Sequence, residues 1–271
     1  MTVVYFNDEF MGVYCMTERV DRKQLKLDKQ GGYLYKAEDW NDATNFKSVN
    51  SIPTDGSRMW ESFQAEYPDP YVWWPLYDFI SWVCGNNDAV LCAGAEERFD
   101  IDNLVDYFLF INVIGTDDNA SKNTFLGIYN YNSASPEERR FFYCPWDLDG
   151  TLGRGWDMRE MTPGQIVGVS NSIQPNYLML RLAKNNGAGF GDKVKKRWNE
   201  LKNGPYSKSA IINRFVLLEG SGAYSKELSK WRGNNSKDLA SEIQYVDSWL
   251  DKHLALIDKY IEEWDNNISK L

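Results

Sequence analysis

Apolar residues recur every three or four positions in much of the chain after about residue 70, which is the pattern of amphipathic α-helices. One such stripe follows Asp100, a residue type that favours the start of a helix. We interpret it, and a longer stripe near the C-terminus, as helix faces that pack on the protein's own core. The members of the longer stripe are Leu239, Ile243, Val246, Leu250, Leu254, Ile257, Ile261 and Trp264.

Short apolar runs separated by turn residues characterise the first part of the chain instead. Val3–Phe6 and Met11–Thr17 flank the turn residues Asn7–Glu9, which predicts a β-hairpin. Tyr33–Ala37 follows a Gly-Gly pair and predicts a further strand. We expect roughly the first 40 residues to form one small antiparallel sheet.

The change from strand-like to helix-like patterns predicts an α+β fold of two lobes. Pro68 and Pro70 mark the connector between them, because proline restricts the chain to turn or extended conformations. We expect residues 1–67 to form a small, antiparallel β-rich N-terminal lobe. Residues 68–271 would form a larger, mostly helical C-terminal lobe that contains an acidic hairpin over residues 116–153.

The acidic hairpin concentrates the side chains that can do chemistry. Two strand-like runs, Thr124–Tyr131 and Arg139–Trp146, are joined by a loop rich in Asn, Ser and Pro. In an antiparallel pair the start of the first run meets the end of the second, so Asn123 and Asp147 become neighbours. The residues expected at this end of the hairpin are Asp117, Asp118, Lys122, Asn123, Asp147 and Asp149.

The composition excludes several classes of function. The formal net charge of the 271 residues is −9, which argues against non-specific nucleic-acid binding, since that requires a basic surface. No run approaches the roughly 18 apolar residues of a membrane-spanning helix, and no signal peptide is recognisable. None of the four cysteines forms a Cys-x-x-Cys pair, which argues against a zinc site. Cys84 and Cys92 could form a disulfide or remain two free thiols, and the sequence is compatible with either state.

The sequence contains a single histidine, His253, in the predicted C-terminal helix. It lies beside the apolar stripe, so we expect it on the helix surface. A Ser-His or Cys-His nucleophile pair would need this residue, and the pattern therefore argues against both mechanisms.

Two kinds of phosphoryl chemistry compete for the acidic hairpin. Asp147–Leu152 fits the opening motif of haloacid-dehalogenase-type phosphatases, in which the first Asp attacks phosphorus and the second is the acid and base. That motif should end the first strand of a parallel sheet, and later strands should supply further catalytic residues. Here a long segment precedes the motif, and the segment after it is nearly all helical by pattern.

A kinase-type site fits the order of the residues better. Protein kinases place an Asp that orients the hydroxyl about five positions before a metal-binding Asn, with a metal-binding Asp further along the chain. Asp118 precedes Asn123 by five positions, the hairpin follows, and Asp147 closes it. Lys122 is placed to neutralise the transferring phosphoryl group. The spacing favours Asp118 over its neighbour Asp117 as the base.

At these residues the chain resembles the CotH (spore-coat protein H) kinase family, a family of atypical secretory protein kinases. The resemblance covers nearly the whole chain, and its most specific part is the Pro-Trp-Asp-x-Asp string. The strings that carry it are Tyr5–Tyr14 with Glu18, Gly32–Lys36, Asp118–Asn123, and Pro145–Asp149 with Gly153.

The resemblance implies a protein-kinase-like α+β fold. It also implies ATP-dependent phosphorylation of Ser or Thr hydroxyls in a protein substrate, assisted by Mg²⁺ or Mn²⁺. It implies that Asp118 is the catalytic base. The residues implied to bind metal are Asn123, Asp147 and Asp149. Those implied to bind the nucleotide are Lys36 and Glu18, with Lys122 beside the transferring group. Extracellular or cell-envelope localisation is also implied by the family.

Other interpretations stay open at this point. The family carries an upstream segment with an Arg-Gly-Asn-Ser-like loop, so we expect the nucleotide lobe of this chain to be incomplete. A catalytically inactive CotH-like binding or structural protein is the first alternative, and the phosphatase is the second. Each candidate site residue also has a purely structural explanation. Asp118 and Asn123 could cap a turn, and Asp147 and Asp149 could bind a structural Ca²⁺. Lys36 could be an exposed strand residue.

Overall fold

Strands and helices occupy largely different stretches of the chain, so the fold is α+β, as the sequence predicts. The computed structural model describes residues 1–116, 118–170, 174–232 and 238–271, with Arg232 described by its backbone alone. Among these residues, no helix is long and apolar enough to cross a membrane. All four cysteines are free thiols, and burial raises the pKa of Cys84 to about 11.

The N-terminal hairpin forms a sheet of its own. β1 (Thr2–Phe6) pairs antiparallel with β2 (Glu9–Tyr14), as predicted. The expectation of one sheet over roughly the first 40 residues is wrong, because β3 (Tyr33–Ala37) pairs with strands from later in the chain. β3 has buried side chains on both of its faces, including Leu34 and Tyr35, so it needs cover on both sides and occupies a central position.

The main sheet crosses the proline connector of the chain. Besides β3, it contains β4 (Met59–Trp60), β5 (Phe63–Tyr67), β6 (Thr124–Ile128) and β7 (Phe141–Pro145). Its order in the described residues is β4-β5-β3-β6-β7, and each of these neighbouring pairs is antiparallel. The division into lobes at residue 67 stays a prediction, but strands from both sides of it share this sheet.

The register of β6 and β7 is the one that the sequence predicts. Thr124 lies opposite Pro145 and Ile128 opposite Phe141, so the start of one strand meets the end of the other. Asp147 therefore follows an edge strand of an antiparallel sheet. This arrangement differs from the parallel sheet that the phosphatase motif requires.

Helices form most of the remaining structure. The cap of α3 (Ile101–Val113) is the predicted one, because the Asp100 side chain accepts a hydrogen bond from the Asn103 amide at 3.0 Å. The helices are α1 (Trp74–Gly85), α2 (Asp88–Arg98), α3 (Ile101–Val113), α4 (Tyr177–Asn185), α5 (Phe190–Leu201), α6 (Lys208–Gly220), α7 (Ala223–Glu227), α8 (Leu239–Glu262) and α9 (Trp264–Ile268). Short 3-10 turns cover Glu137–Arg139 and Gly187–Gly189, and a π-helical segment covers Leu228–Arg232.

The sheet packs against α1 and α3 through aromatic side chains. Phe141 stacks on Phe79 of α1 with ring centroids 4.6 Å apart, and Tyr143 stacks on Tyr107 of α3 at the same distance. The opposite face of the sheet covers a smaller cluster built around Leu34, Phe125, Phe142, Val20 and Leu27. Because α3 is held against the sheet in this way, its C-terminal end lies close to the acidic hairpin.

His253 is buried, so the prediction of a surface position is wrong. Only 1% of the residue is exposed. Its Nδ1 accepts a hydrogen bond from the Gly164 amide at 2.8 Å, and its Nε2 donates to the Asn112 carbonyl at 2.6 Å. The loop around Gly164 covers His253 beside the apolar stripe of α8. Burial lowers the pKa of His253 to about 4 from 6.5.

The buried histidine predicts a specific pH dependence of stability. Between pH 6.5 and 4, His253 takes up a proton in the unfolded chain while it stays neutral in the folded chain. The free energy of unfolding therefore decreases as the pH falls through this window, by roughly 3 kcal/mol from this group. Urea unfolding at several pH values, on the wild type and on His253→Gln, measures this contribution. An equal slope in both proteins between pH 6.5 and 5 would contradict it.

Candidate functional site

Two loops meet at the open end of the β6–β7 hairpin. We call residues 118–123 the Asp118 loop and residues 147–153 the Asp147 loop. The pairing of Thr124 with Pro145 places the loops side by side, and the Trp146 amide donates to the Asn123 carbonyl at 3.0 Å. The Asn123 amide in turn donates to the Ala37 carbonyl of β3 at 2.9 Å. Asn123 and Asp147 are therefore neighbours, as the sequence predicts.

One buried amide, Asn119, joins the two loops. Its Nδ2 donates to the carbonyl of Asn123 at 2.9 Å and to the carbonyl of Trp146 at 2.7 Å. The backbone carbonyl of Asn119 accepts a hydrogen bond from the Tyr107 hydroxyl of α3 at 2.6 Å. Sequence reasoning missed this residue, because the only signal was its place inside the Asp118–Asn123 string. We interpret Asn119 as the residue that sets the distance between the loops.

The Asp118 loop is also held from its other side. The Asn176 side chain donates to the Ala120 carbonyl at 2.8 Å and to the Tyr143 hydroxyl at 3.0 Å. The Ser121 hydroxyl donates to the Pro175 carbonyl at 2.8 Å. Burial raises the pKa of Tyr143, so its phenol stays protonated and neutral. The loop is thus preorganised by several buried hydrogen bonds.

The backbone turns sharply at the two positions that adjoin the paired strands. Asn123 has φ of 52° and Asp147 has φ of 53°, both in the left-handed region. Asn and Asp adopt this region more readily than other non-glycine residues, because their short polar side chains cause less steric conflict. Conformations of this kind cluster at functional sites, where surrounding structure holds them in place.

Asp118 is held by two donors. Its Oδ1 accepts from the Trp40 indole at 3.2 Å, and its Oδ2 lies 3.1 Å from Lys122 Nζ. The side chains of Asp118 and Lys122 are each 25% exposed, so the pair remains accessible to a substrate. Trp40 lies 78 positions earlier in the chain, and no local signal in the sequence connects it with Asp118.

Lys36 lies beside the Asp147 loop but is already paired. Its Nζ is 3.0 Å from the Glu38 carboxylate and 5.8 Å from the centre of the Trp146 ring. Glu18, by contrast, is exposed after β2. In the part of the chain that the structure describes, no hydrogen bond or ion pair joins the Glu18 side chain to Lys36. The structure thus brings Lys36 towards the acidic residues and gives it Glu38 as a partner, which sequence reasoning missed.

Asp147 and Asp149 are exposed, whereas Asn123 is 8% exposed. Within residues 1–116, 118–170, 174–232 and 238–271, no group of three or more His, Cys, Asp or Glu side chains is arranged to hold a metal ion. Two carboxylates and one amide oxygen nevertheless suit Mg²⁺, which keeps several water or phosphate ligands of its own. Asp117 lies outside the described residues, so the choice of Asp118 over Asp117 stays a prediction.

A family model matches most of the chain. Residues 1–262 match the family model described as CotH kinase protein. That range covers both loops of the site and all of α8. No curated protein matches the chain at a significant level.

Replacing Asn119 tests whether it holds the two loops together. We expect Asn119→Ala to lower the free energy of unfolding by about 1–3 kcal/mol, because it removes two hydrogen bonds from a largely buried junction. Asn199→Ala is the matched control, since Asn199 is an exposed helical residue whose side chain donates to a carbonyl one turn earlier. Chemical denaturation measures both variants. Equal effects of the two substitutions would contradict the role given to Asn119.

Proposed function

The chain belongs to the CotH kinase family, and we propose that it transfers the γ-phosphoryl group of ATP to Ser or Thr hydroxyls of a protein substrate, assisted by Mg²⁺ or Mn²⁺. The observation that carries the proposal is the junction of the Asp118 and Asp147 loops at Asn119. A kinase-type site needs a hydroxyl-orienting carboxylate and metal ligands on two separate segments held at a fixed distance. This junction supports the proposal, because it fixes the Asp118 loop next to the start of the Asp147 loop.

In the proposed reaction, Asp118 orients the hydroxyl of the substrate and accepts its proton. The indole of Trp40 and the ammonium group of Lys122 fix the two carboxylate oxygens, and each oxygen keeps a lone pair for the substrate. Lys122 also brings a positive charge next to the transferring group. Catalysis then depends on positioning and charge neutralisation, as is general for phosphoryl transfer.

Asn123, Asp147 and Asp149 are the residues that would hold the metal. When bound, the metal supplies neutralisation of the charge on the nucleotide phosphates. The exposure of Asp147 and Asp149 favours this role, because a metal bound there stays accessible to phosphate oxygens. Lys36 would contact the phosphates after exchanging its ion pair with Glu38, and Glu18 remains a proposed nucleotide contact.

A catalytically inactive CotH-like binding protein is the second candidate. The ion pair between Lys36 and Glu38 favours it, since a lysine held by a carboxylate is less available to phosphates. The phosphatase is disfavoured, because Asp147 follows an edge strand of an antiparallel sheet. Extracellular or cell-envelope localisation is proposed on family membership alone.

Thermal shift with nucleotide tests the proposed site directly. We expect ATP with Mg²⁺ or Mn²⁺ to raise the Tm of the wild type, because a ligand that binds the folded state stabilises it by mass action. The rise should disappear in Asp147→Ala and persist in Asp102→Ala, a control at an exposed aspartate of α3. A wild type whose Tm does not respond to nucleotide and metal would overturn the proposal. Hydrolysis of a simple phosphomonoester would favour the phosphatase instead.

Trp40 should affect the chemical step more than binding. Trp40→Phe keeps an aromatic ring but removes the hydrogen bond to Asp118, so we expect kcat to fall by up to about tenfold at nearly unchanged KM for ATP. Trp74→Phe is the matched control, because Trp74 is 58% exposed on α1. Initial rates on a Ser- and Thr-rich model protein give both constants. A change in KM alone would assign Trp40 to substrate binding and contradict this role.

A further inference from the structure

One face of α8 lies directly behind the acidic site. Four side chains on this face follow one another at intervals of three or four residues, so they point to the same side of the helix. Each of them contacts a segment that precedes, ends or follows one of the two loops. They are Glu242, Tyr245, Trp249 and His253.

Trp249 touches the chain next to both loops. A Cβ atom added to Gly115 would lie 2.6 Å from the Trp249 ring, and one added to Gly153 would lie 2.7 Å from it. Gly115 precedes the Asp118 loop, and Gly153 ends the Asp147 loop. Both glycines have positive φ, at 58° and 86°, which L-residues with side chains rarely adopt. The backbones of both segments therefore rest on the same indole.

Two further side chains of α8 hold the end of the Asp147 loop. The Tyr245 hydroxyl donates to the Gly153 carbonyl at 2.6 Å. The Arg154 guanidinium donates to both carboxylate oxygens of Glu242 at 3.1 Å each and lies 3.7 Å from the centre of the Tyr245 ring. The side chains of Arg154 and Glu242 are 11% and 19% exposed, so this bidentate pair is partly shielded from water. The Asp147 loop is thus held at its start by Asn119 and at its end by α8.

The indole is itself held in place. Its Nε1 donates to the Met161 carbonyl at 2.9 Å, and its ring stacks on His253 with centroids 4.0 Å apart. His253 in turn hydrogen-bonds to Asn112 at the end of α3. A side chain with this many contacts cannot tilt without breaking one of them, so it is a rigid support for both glycines.

We propose that this face of α8 positions the two loops of the acidic site, with Trp249 and Tyr245 as the positioning residues. These side chains act on the position of the loops and not on the substrate, and the inference rests on the proposed function. Asp147 and Asp149 are exposed, so their positions depend on how the two ends of their loop are fixed. Metal-assisted phosphoryl transfer is sensitive to displacements of about 1 Å, which gives such a support a direct effect on the reaction.

The most selective test removes one hydroxyl group. Tyr245→Phe deletes the hydrogen bond to Gly153 and leaves the ring in place, whereas Tyr260→Phe changes a half-buried tyrosine elsewhere on α8. We expect faster amide hydrogen exchange in residues 150–154 of Tyr245→Phe only. We also expect its affinity for Mg²⁺-ATP to fall about threefold to tenfold, with a Tm close to that of the Tyr260→Phe control.

Trp249 supplies a second, graded test. Trp249→Phe keeps an aromatic surface under the glycines, whereas Trp249→Leu removes most of it, so we expect Phe to retain more of the Mg²⁺-ATP affinity than Leu. Both variants are compared at temperatures at which circular dichroism shows them folded. Equal affinities of both variants and the wild type would overturn a positioning role for the indole.

The outcomes separate this inference from the proposed function. A wild type that does not bind Mg²⁺-ATP would overturn the proposed function. The hydrogen exchange comparison would still decide whether α8 holds the loop. A wild type that binds Mg²⁺-ATP, with exchange and affinity equal in Tyr245→Phe and Tyr260→Phe, would overturn the role of α8 alone.

Discussion

The antiparallel pairing of β6 with β7 is the constraint on which the candidate site depends. It brings together two loops that are more than 20 residues apart in the chain, and the Asn119 side chain closes the junction by bonding to a carbonyl on each side. Displacing this amide costs free energy, because the carbonyls of Asn123 and Trp146 each lose a hydrogen bond and the buried Asn119 side chain loses both of its acceptors. The relative position of Asp118 and Asp147 follows from this junction.

The site combines a rigid backbone with accessible side chains. The backbone is held by buried or half-buried groups from several elements: Tyr107 of α3, Asn176 at the start of α4, and Tyr245 and Trp249 of α8. The carboxylates of Asp147 and Asp149 are nevertheless exposed. A site that binds a highly charged ligand needs both properties, since desolvated carboxylates would resist ionisation and mobile ones would not hold a metal in position.

The buried polar network also extends beyond the site. His253, Trp249 and Asn112 connect α8 to the end of α3, and Asn112 bonds in turn to the backbone of Val167. These contacts make the C-terminal helix part of the support of the acidic hairpin. They also couple the stability of this region to pH through a histidine that is neutral when folded.

The sequence by itself determined the features that depend on neighbouring positions. These features could be predicted because periodicity and turn chemistry act over a few residues. They are the hairpin register, the Asp100 cap, the apolar stripe of α8 and the five-residue spacing of Asp118 and Asn123. Only the tertiary structure decided which distant groups meet. The bond between Trp40 and Asp118, the pairing of β3 with β6 and the burial of His253 depend on how whole elements pack. A local pattern does not encode that packing, because any of several surfaces could have covered the same residue.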